Sequence, residues 1–175
     1  NKISADQQIK ITADKIVVSQ DDGTIVASGN AVATDERGSN IKSDKIIYNK
    51  NTSKIEADGN ITLNDTEGNI YYFENLASDD EIQDLNGNKV RARLDDGSRI
   101  VGSSLSKKDD VIALKNAEYT PCLEDDYLIE NCPGWKLKSK NIFQDSKNKT
   151  IHYDHARIHL FNVPVFYLPY FSHPD

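Results

Sequence analysis

The sequence predicts an all-β chain of repeated hairpins stacked into an elongated fold, and three observations carry that prediction. The stretch from Ala13-Asp14-Lys15-Ile16 to Ile25-Val26-Ala27-Ser28-Gly29-Asn30 returns thirty residues later, ungapped, as Ser43-Asp44-Lys45-Ile46 to Ile55-Glu56-Ala57-Asp58-Gly59-Asn60. Short alternating runs of Ile, Val, Tyr and Thr are separated by the turn dipeptides Asp22-Gly23, Glu67-Gly68, Asn86-Gly87 and Asp96-Gly97. Hydrophobic residues make up 37% of the chain, below the roughly 45–50% of compact domains, which suits a narrow core between sheets. A repeated hairpin cannot bury its apolar face alone, so neighbours must share one continuous core along the stack.

Each element follows from its own pattern. Ile9 to Val18 reads as a first, exposed strand, blunted by Lys2, Lys10 and Lys15. In the second repeat Ile55, Ala57, Gly59, Ile61 and Leu63 fall on one face and Glu56, Asp58, Asn60, Thr62 and Asn64 on the other, so the first set faces inward. Its counterpart in the first repeat is Ile25, Ala27, Gly29, Ala31 and Ala33, whose small residues leave either space or tight packing inside. Ile16 and Ile46 are harder to orient, because Val17 and Ile47 beside them are equally apolar. Ser78 to Asp84 is acidic and polar and reads as a link. Lys89, Arg91 and Arg93 alternate with Val90, Ala92 and Leu94, a cationic row that is either a solvated face or a contact for an anionic headgroup. The spacing of Ile16/Ile25 and Ile46/Ile55 recurs at Leu105/Leu114 and Ile142/Ile151, which extends the hairpin pattern towards the C-terminus.

Residue totals bound the function. With 175 residues the chain forms one domain with a sizeable core. A formal net charge of -7 and a pI near 5.1 argue against nucleic acid as the partner. The longest mainly apolar stretch, Phe161 to Phe171, is about half of what a membrane helix needs and is interrupted by prolines. The chain has no methionine and opens on no basic-then-apolar leader, as expected of a segment from within a gene product. Cys122 and Cys132 lie in a proline-bearing acidic segment, Pro121 to Gly134, which reads as a loop stapled by a disulfide, or else as one carrying two reduced thiols.

Catalytic signals are weak. His152, His155, His159 and Asp154 would share a face on a helix and could hold a metal there. The segment reads instead as a strand, on which alternation puts His155 and His159 opposite His152, so no metal site and no cofactor is expected. No Gly-x-Ser-x-Gly elbow is present to expose a serine. The sequons at Asn51, Asn60, Asn64 and Asn148 are what chance gives a chain so rich in Asn.

The ending from Asn162-Val163-Pro164-Val165-Phe166-Tyr167-Leu168-Pro169-Tyr170 to Asp175 resembles the LptD family of LPS-assembly proteins, at the segment that joins a periplasmic domain to an outer-membrane β-barrel. The Ala-Asp-Lys-Ile and Ala-x-Gly-Asn repeats are similar to the OstA-like β-jellyroll of that family, and Thr120-Pro121-Cys122 and Trp135 to Ser139 match it in order. The resemblance implies an elongated, twisted antiparallel jellyroll with an open groove, occupying residues 1–160, with residues 161–175 as an apolar final strand leading towards a barrel.

The resemblance also implies a function without catalysis: lipopolysaccharide (LPS) is taken from a periplasmic bridge, its acyl chains are shielded in an apolar groove, and it is passed to the barrel. Many weak contacts suffice, at about 0.8 kcal/mol per buried CH2. The expected groove residues are Ile16, Ile25, Ala27, Ile46, Ile55, Ala57, Ile61 and Leu63. The edge formed by Ile9, Ile11, Ala13, Ile16 and Val18 would accept a strand from an LptA-like bridge protein. The other implied partners are the protein's own barrel and an outer-membrane lipoprotein plug, and the implied location is the periplasm, attached to the outer membrane. In the family, cysteines of this domain bond to the barrel, so Cys122 or Cys132 could pair there instead of with each other. Two rivals remain: a structural or adhesive β-solenoid with a filled core, and a carbohydrate-active enzyme using Asp125, Asp126 or Glu130.

Overall fold

The computed structural model describes residues 9–121 and 134–174, and every regular element among them is a strand. These are β1 (Ile9–Thr12), β2 (Lys15–Val18), β3 (Thr24–Asp35), β4 (Asn40–Asn49), β5 (Lys54–Asn64), β6 (Ile70–Asp79), β7 (Leu85–Arg93), β8 (Arg99–Lys108), β9 (Val111–Thr120), β10 (Trp135–Asp145), β11 (Thr150–Leu160) and β12 (Val163–Pro174). They form one antiparallel sheet in sequence order from β3 to β12, with β1 and β2 both pairing the outer side of β3. The sheet does not close, which agrees with the expected open β-jellyroll. Cys122 and Cys132, Asp125, Asp126 and Glu130 lie outside the described residues.

The sheet is folded along one line. Pairing between β3 and β4 skips from Ser28 to Ala31, between β4 and β5 from Lys42 to Lys45, and between β5 and β6 from Asp58 to Ile61. At that line alternate strands carry residues in the left-handed region: Gly29 and Asn30, Gly59 and Asn60, Lys89, Asn116 and His155. Bulges of this kind bend a strand sharply. The sheet therefore doubles into two facing layers, with the bend as a closed spine. Layer A holds the first halves of the odd strands β3 to β11, and layer B holds their second halves. Apolar residues from both layers make one core, including Ile46, Ile55, Leu76 and Leu114 of layer A and Ile41, Ile61, Val90 and Ala117 of layer B.

Two kinds of bulge have different consequences for which side chains face in. The two-residue Gly-Asn bulges of β3 and β5 preserve alternation, so Ile55, Ala57, Ile61 and Leu63 are all buried on one face. The one-residue bulges at Lys89, Asn116 and His155 reverse it. In β11, Ile151 and Tyr153 pack on the core before the bulge and Ala156 is buried after it. His159 then pairs with Lys136 on the outer surface, and His155 reaches Tyr167 there. This corrects the expected placement of His155 and His159 opposite His152. The three rings are nonetheless separate: His152 bonds Tyr170 at 2.7 Å and His155 bonds Tyr167 at 2.6 Å.

The turns beyond the bend repeat one device. Asp35 Oδ1 accepts from the backbone N–H of Arg37 (3.0 Å) and Ser39 (2.8 Å), and Asp65 Oδ1 accepts from Glu67 and Asn69, both at 2.9 Å. Asn86-Gly87, expected to be a turn, lies inside β7 opposite Leu76 and Leu105. There the absent side chain leaves room for the Phe73 ring.

Candidate functional site

Folding each strand at the spine brings two rows of turns together along the opposite, open side. Near β3 that mouth is tied shut: Arg37 of the β3–β4 turn donates from Nη2 to the carbonyl of Glu81 in the β6–β7 link at 2.6 Å. On the far lip Tyr48 donates to Asp80 Oδ2 at 3.2 Å and so anchors the same link. Further along the layers part, and a cavity of 680 Å³ opens between them.

The floor of this cavity is apolar. Layer B contributes Leu63, Phe73, Ala92 and Ile100, and layer A contributes Leu85, Leu105, Ile112 and Leu114. Its rim is polar and charged, with Arg37, Asp65, Glu67, Asp95, Lys107 and Gln144 at the lips. An apolar floor beneath a charged rim suits an amphiphile whose chains enter and whose head stays in water.

The rim on layer B is held rigidly. Asn69 donates to Asp65 Oδ2 at 2.8 Å, and its own Oδ1 accepts from the backbone N–H of Asp95 at 3.1 Å. Tyr71 donates to the same Asp65 oxygen at 3.3 Å and stacks on Phe73 with ring centroids 6.5 Å apart. Burial first, and then the Asp65 charge, push the Tyr71 phenol well above its ordinary pKa.

The expected groove residues divide. Ala27, Ile46, Ile55, Ala57 and Ile61 are buried in the part of the core near β3 to β5, and Ile25 packs against it. Only Leu63 of the eight lines the open cavity. Ile16 shares a face with buried Ala27, its register partner, but is 46% exposed because β2 is the edge of its layer. The cavity residues that sequence reasoning missed carried a signal: Leu76/Leu85 has the spacing of Ile46/Ile55 and of Leu105/Leu114, and is the middle copy of the same hairpin. Along the expected docking edge Ile9 is buried, Ile11 and Ala13 pack on the core, and Ile16 and Val18 are exposed. Among the described residues, no three His, Cys, Asp or Glu side chains converge as a metal site.

The outer face of layer B has a different character. Across the strands, register aligns Lys42, Thr62, Tyr72, Arg91, Val101, Glu118, Lys138 and Arg157 in one row. Glu118 lies 2.9 Å from Lys138 and 3.4 Å from Lys136. Burial would raise the Glu118 pKa, but the Lys138 hydrogen bond and the charges of Lys138 and Lys136 outweigh it and hold the carboxylate below its ordinary range.

No family model matches the chain. It is 36% identical over 61 residues to the LPS-assembly protein LptD of Haemophilus ducreyi, covering 35% of this chain and 7% of that protein. It is 32% identical over 106 residues to LptD of Mannheimia succiniciproducens, covering 57% of this chain and 13% of that protein. The matched regions thus amount to no more than 13% of the length of these relatives. Among solved structures, LptH, the LptA homologous periplasmic component of the lipopolysaccharide transport device from Pseudomonas aeruginosa, aligns over 85% of this chain and 82% of its own at 15% identity, with a TM-score of 0.33. Over stretches of 61 and 106 residues, then, this all-β chain of copied hairpins is similar to the LPS-assembly proteins LptD.

Proposed function

We propose that this chain is a non-catalytic lipid carrier, the periplasmic domain of an outer-membrane LPS translocon. The observation that carries this reading is the cavity between the layers, with an apolar floor and a charged rim. Acyl chains of LPS lie on Leu85, Leu105, Ile112 and Leu114, while its sugars stay at the polar lips. The lining offers many weak contacts and few hydrogen-bonding traps, so a chain slides rather than locks. Incoming LPS arrives from an LptA-like bridge whose terminal strand adds to the free edge of β1 and β2. In this reading outgoing LPS passes beyond β12 to an outer-membrane β-barrel with a lipoprotein plug inside it.

Photo-crosslinking to purified LPS tests this. A UV-reactive residue at Ile112, which lines the cavity, forms LPS adducts. The same residue at neighbouring Val111, 41% exposed on the outside of layer A, forms none. Fully enclosed Ile41, Ile46, Ile55 and Ile61 favour a second reading, a structural β-solenoid with a filled core. Adducts at neither Ile112 nor Val111 would select that one.

A further inference from the structure

The outer faces of the two layers differ in charge, and the difference runs against that of the whole protein. On layer A the signs alternate: Lys45 stands opposite Asp58, and Lys54 opposite Asp79. On layer B the row described above holds Lys42, Arg91, Lys138 and Arg157 with Glu118 as its one carboxylate. Among the described residues, the next row towards the lip holds Lys10, Arg93, Arg99 and Lys136 and no carboxylate. Among its described residues, a chain of net charge -7 thus gathers a row of cations on one outer face.

Apolar groups are set among these cations. Tyr72 (41% exposed) and Val101 (48%) stand on either side of Arg91, whose guanidinium lies 5.9 Å from the Tyr72 ring centre. Arg157 lies 5.6 Å from the Tyr167 ring centre. The face then runs on to the β12 edge, where Phe161, Val163 and Phe166 are exposed. An array of cations interleaved with exposed tyrosines and bordered by an apolar edge matches the chemistry of a bilayer surface, where phosphates meet Lys and Arg and aromatic rings settle at headgroup depth.

We propose that the outer face of layer B docks on an anionic phospholipid surface, and so orients the domain with layer A and its mixed charges away from the membrane. The face is separate from the cavity, and this inference stands whether or not the cavity carries LPS.

Co-sedimentation of the full chain with vesicles tests it. Binding is expected to phosphatidylglycerol-containing vesicles and not to pure phosphatidylcholine, and to weaken as salt is added. The combined Lys10→Gln, Lys42→Gln, Arg91→Gln and Arg93→Gln variant should lose about fivefold in partition per charge removed. A variant with the same net charge, Lys15→Gln, Lys45→Gln, Lys54→Gln and Lys108→Gln, should keep most of its binding, with circular dichroism verifying that both are folded. Equal loss in the two variants, or equal binding to neutral vesicles, overturns the proposal. Preferential capture by soluble polyglutamate over anionic vesicles also overturns it, and would assign the face to an acidic protein. If the layer B variant does not fold, salt and vesicle composition on the unaltered chain decide.

Discussion

Asn60 donates from Nδ2 to Oδ2 of Asp44 at 2.7 Å across the spine, and thirty residues earlier Asn30 does the same to Asp14 at 3.0 Å. In the third copy Lys89 meets Glu74 at 2.6 Å, and in the fourth Asn116 donates to Ser103 at 3.1 Å. Each pair clips a left-handed residue of one strand to the neighbouring segment that precedes it, the β1–β2 link for Asn30 and a strand for the other three. The sequence repeat is thus a repeated corner, and the corner is what turns one sheet into two layers with a mouth between them.

Gly59 tests the corner. Its φ is +75°, and a Cβ there would come within 2.5 Å of Asp44 Oδ2. Gly59→Ala is expected to cost about 1–2 kcal/mol from the left-handed backbone alone, with more if Asp44 must release Asn60. Urea unfolding would measure it. A stability equal to that of the unaltered chain would show that the bend does not depend on this residue.

Ile16 and Ile46 are repeat mates with opposite expected fates. Ile46 is fully buried and Ile16 is 46% exposed. Ile46→Ala should destabilise by about 2–5 kcal/mol through lost burial and a residual cavity, whereas Ile16→Ala should stay within about 0.5 kcal/mol, as for most surface changes. Similar losses at both sites would mean that β2 is covered in solution.

The same pair shows how much was legible in the sequence. Copied hairpins, strand character and the inward set of β5 could all be read, because a two-residue Gly-Asn bulge leaves alternation intact. The one-residue bulges at Lys89, Asn116 and His155 carry no glycine to mark them, so simple alternation does not show the reversal in β11 and assigns His155 and His159 to the wrong face. The third repeat hides because Glu74-Asn75-Leu76 keeps the acid and the aliphatic residue of Asp44-Lys45-Ile46 but repeats none of its three residues and lacks the lysine. The position of the cavity depends on where Arg37 stops holding the lips together, and no local pattern encodes that.

Tyr71 makes stability pH-dependent on the alkaline side. Its folded pKa is raised above the ordinary 10.0, so its contribution is complete below about pH 10 and is lost as pH rises from there. Tyr71→Phe should flatten part of that alkaline decline and change little at neutral pH. Tyr48, raised chiefly by burial and then by Asp80, keeps the remainder. Denaturant midpoints at pH 8 and above pH 10 would show the difference, and parallel declines in the two proteins would remove Tyr71 from the account.

Ile112 and Val111 are neighbours on β9 with side chains on opposite faces, the first in the cavity and the second exposed outside layer A. Ile112→Glu places a carboxylate on the apolar floor, where an acyl chain would have to lie against a charge or force its neutralisation, a penalty of several kcal/mol in an apolar setting. LPS binding should then fall by more than about tenfold, a loss of some 1.4 kcal/mol or more, while Val111→Glu binds as the unaltered chain does. Because Ile112 is only partly buried, the charged variant is expected to remain folded, and its thermal midpoint would verify this. Equal LPS affinity in two folded variants would sink the assignment of this cavity to acyl chains and leave it as a gap between layers.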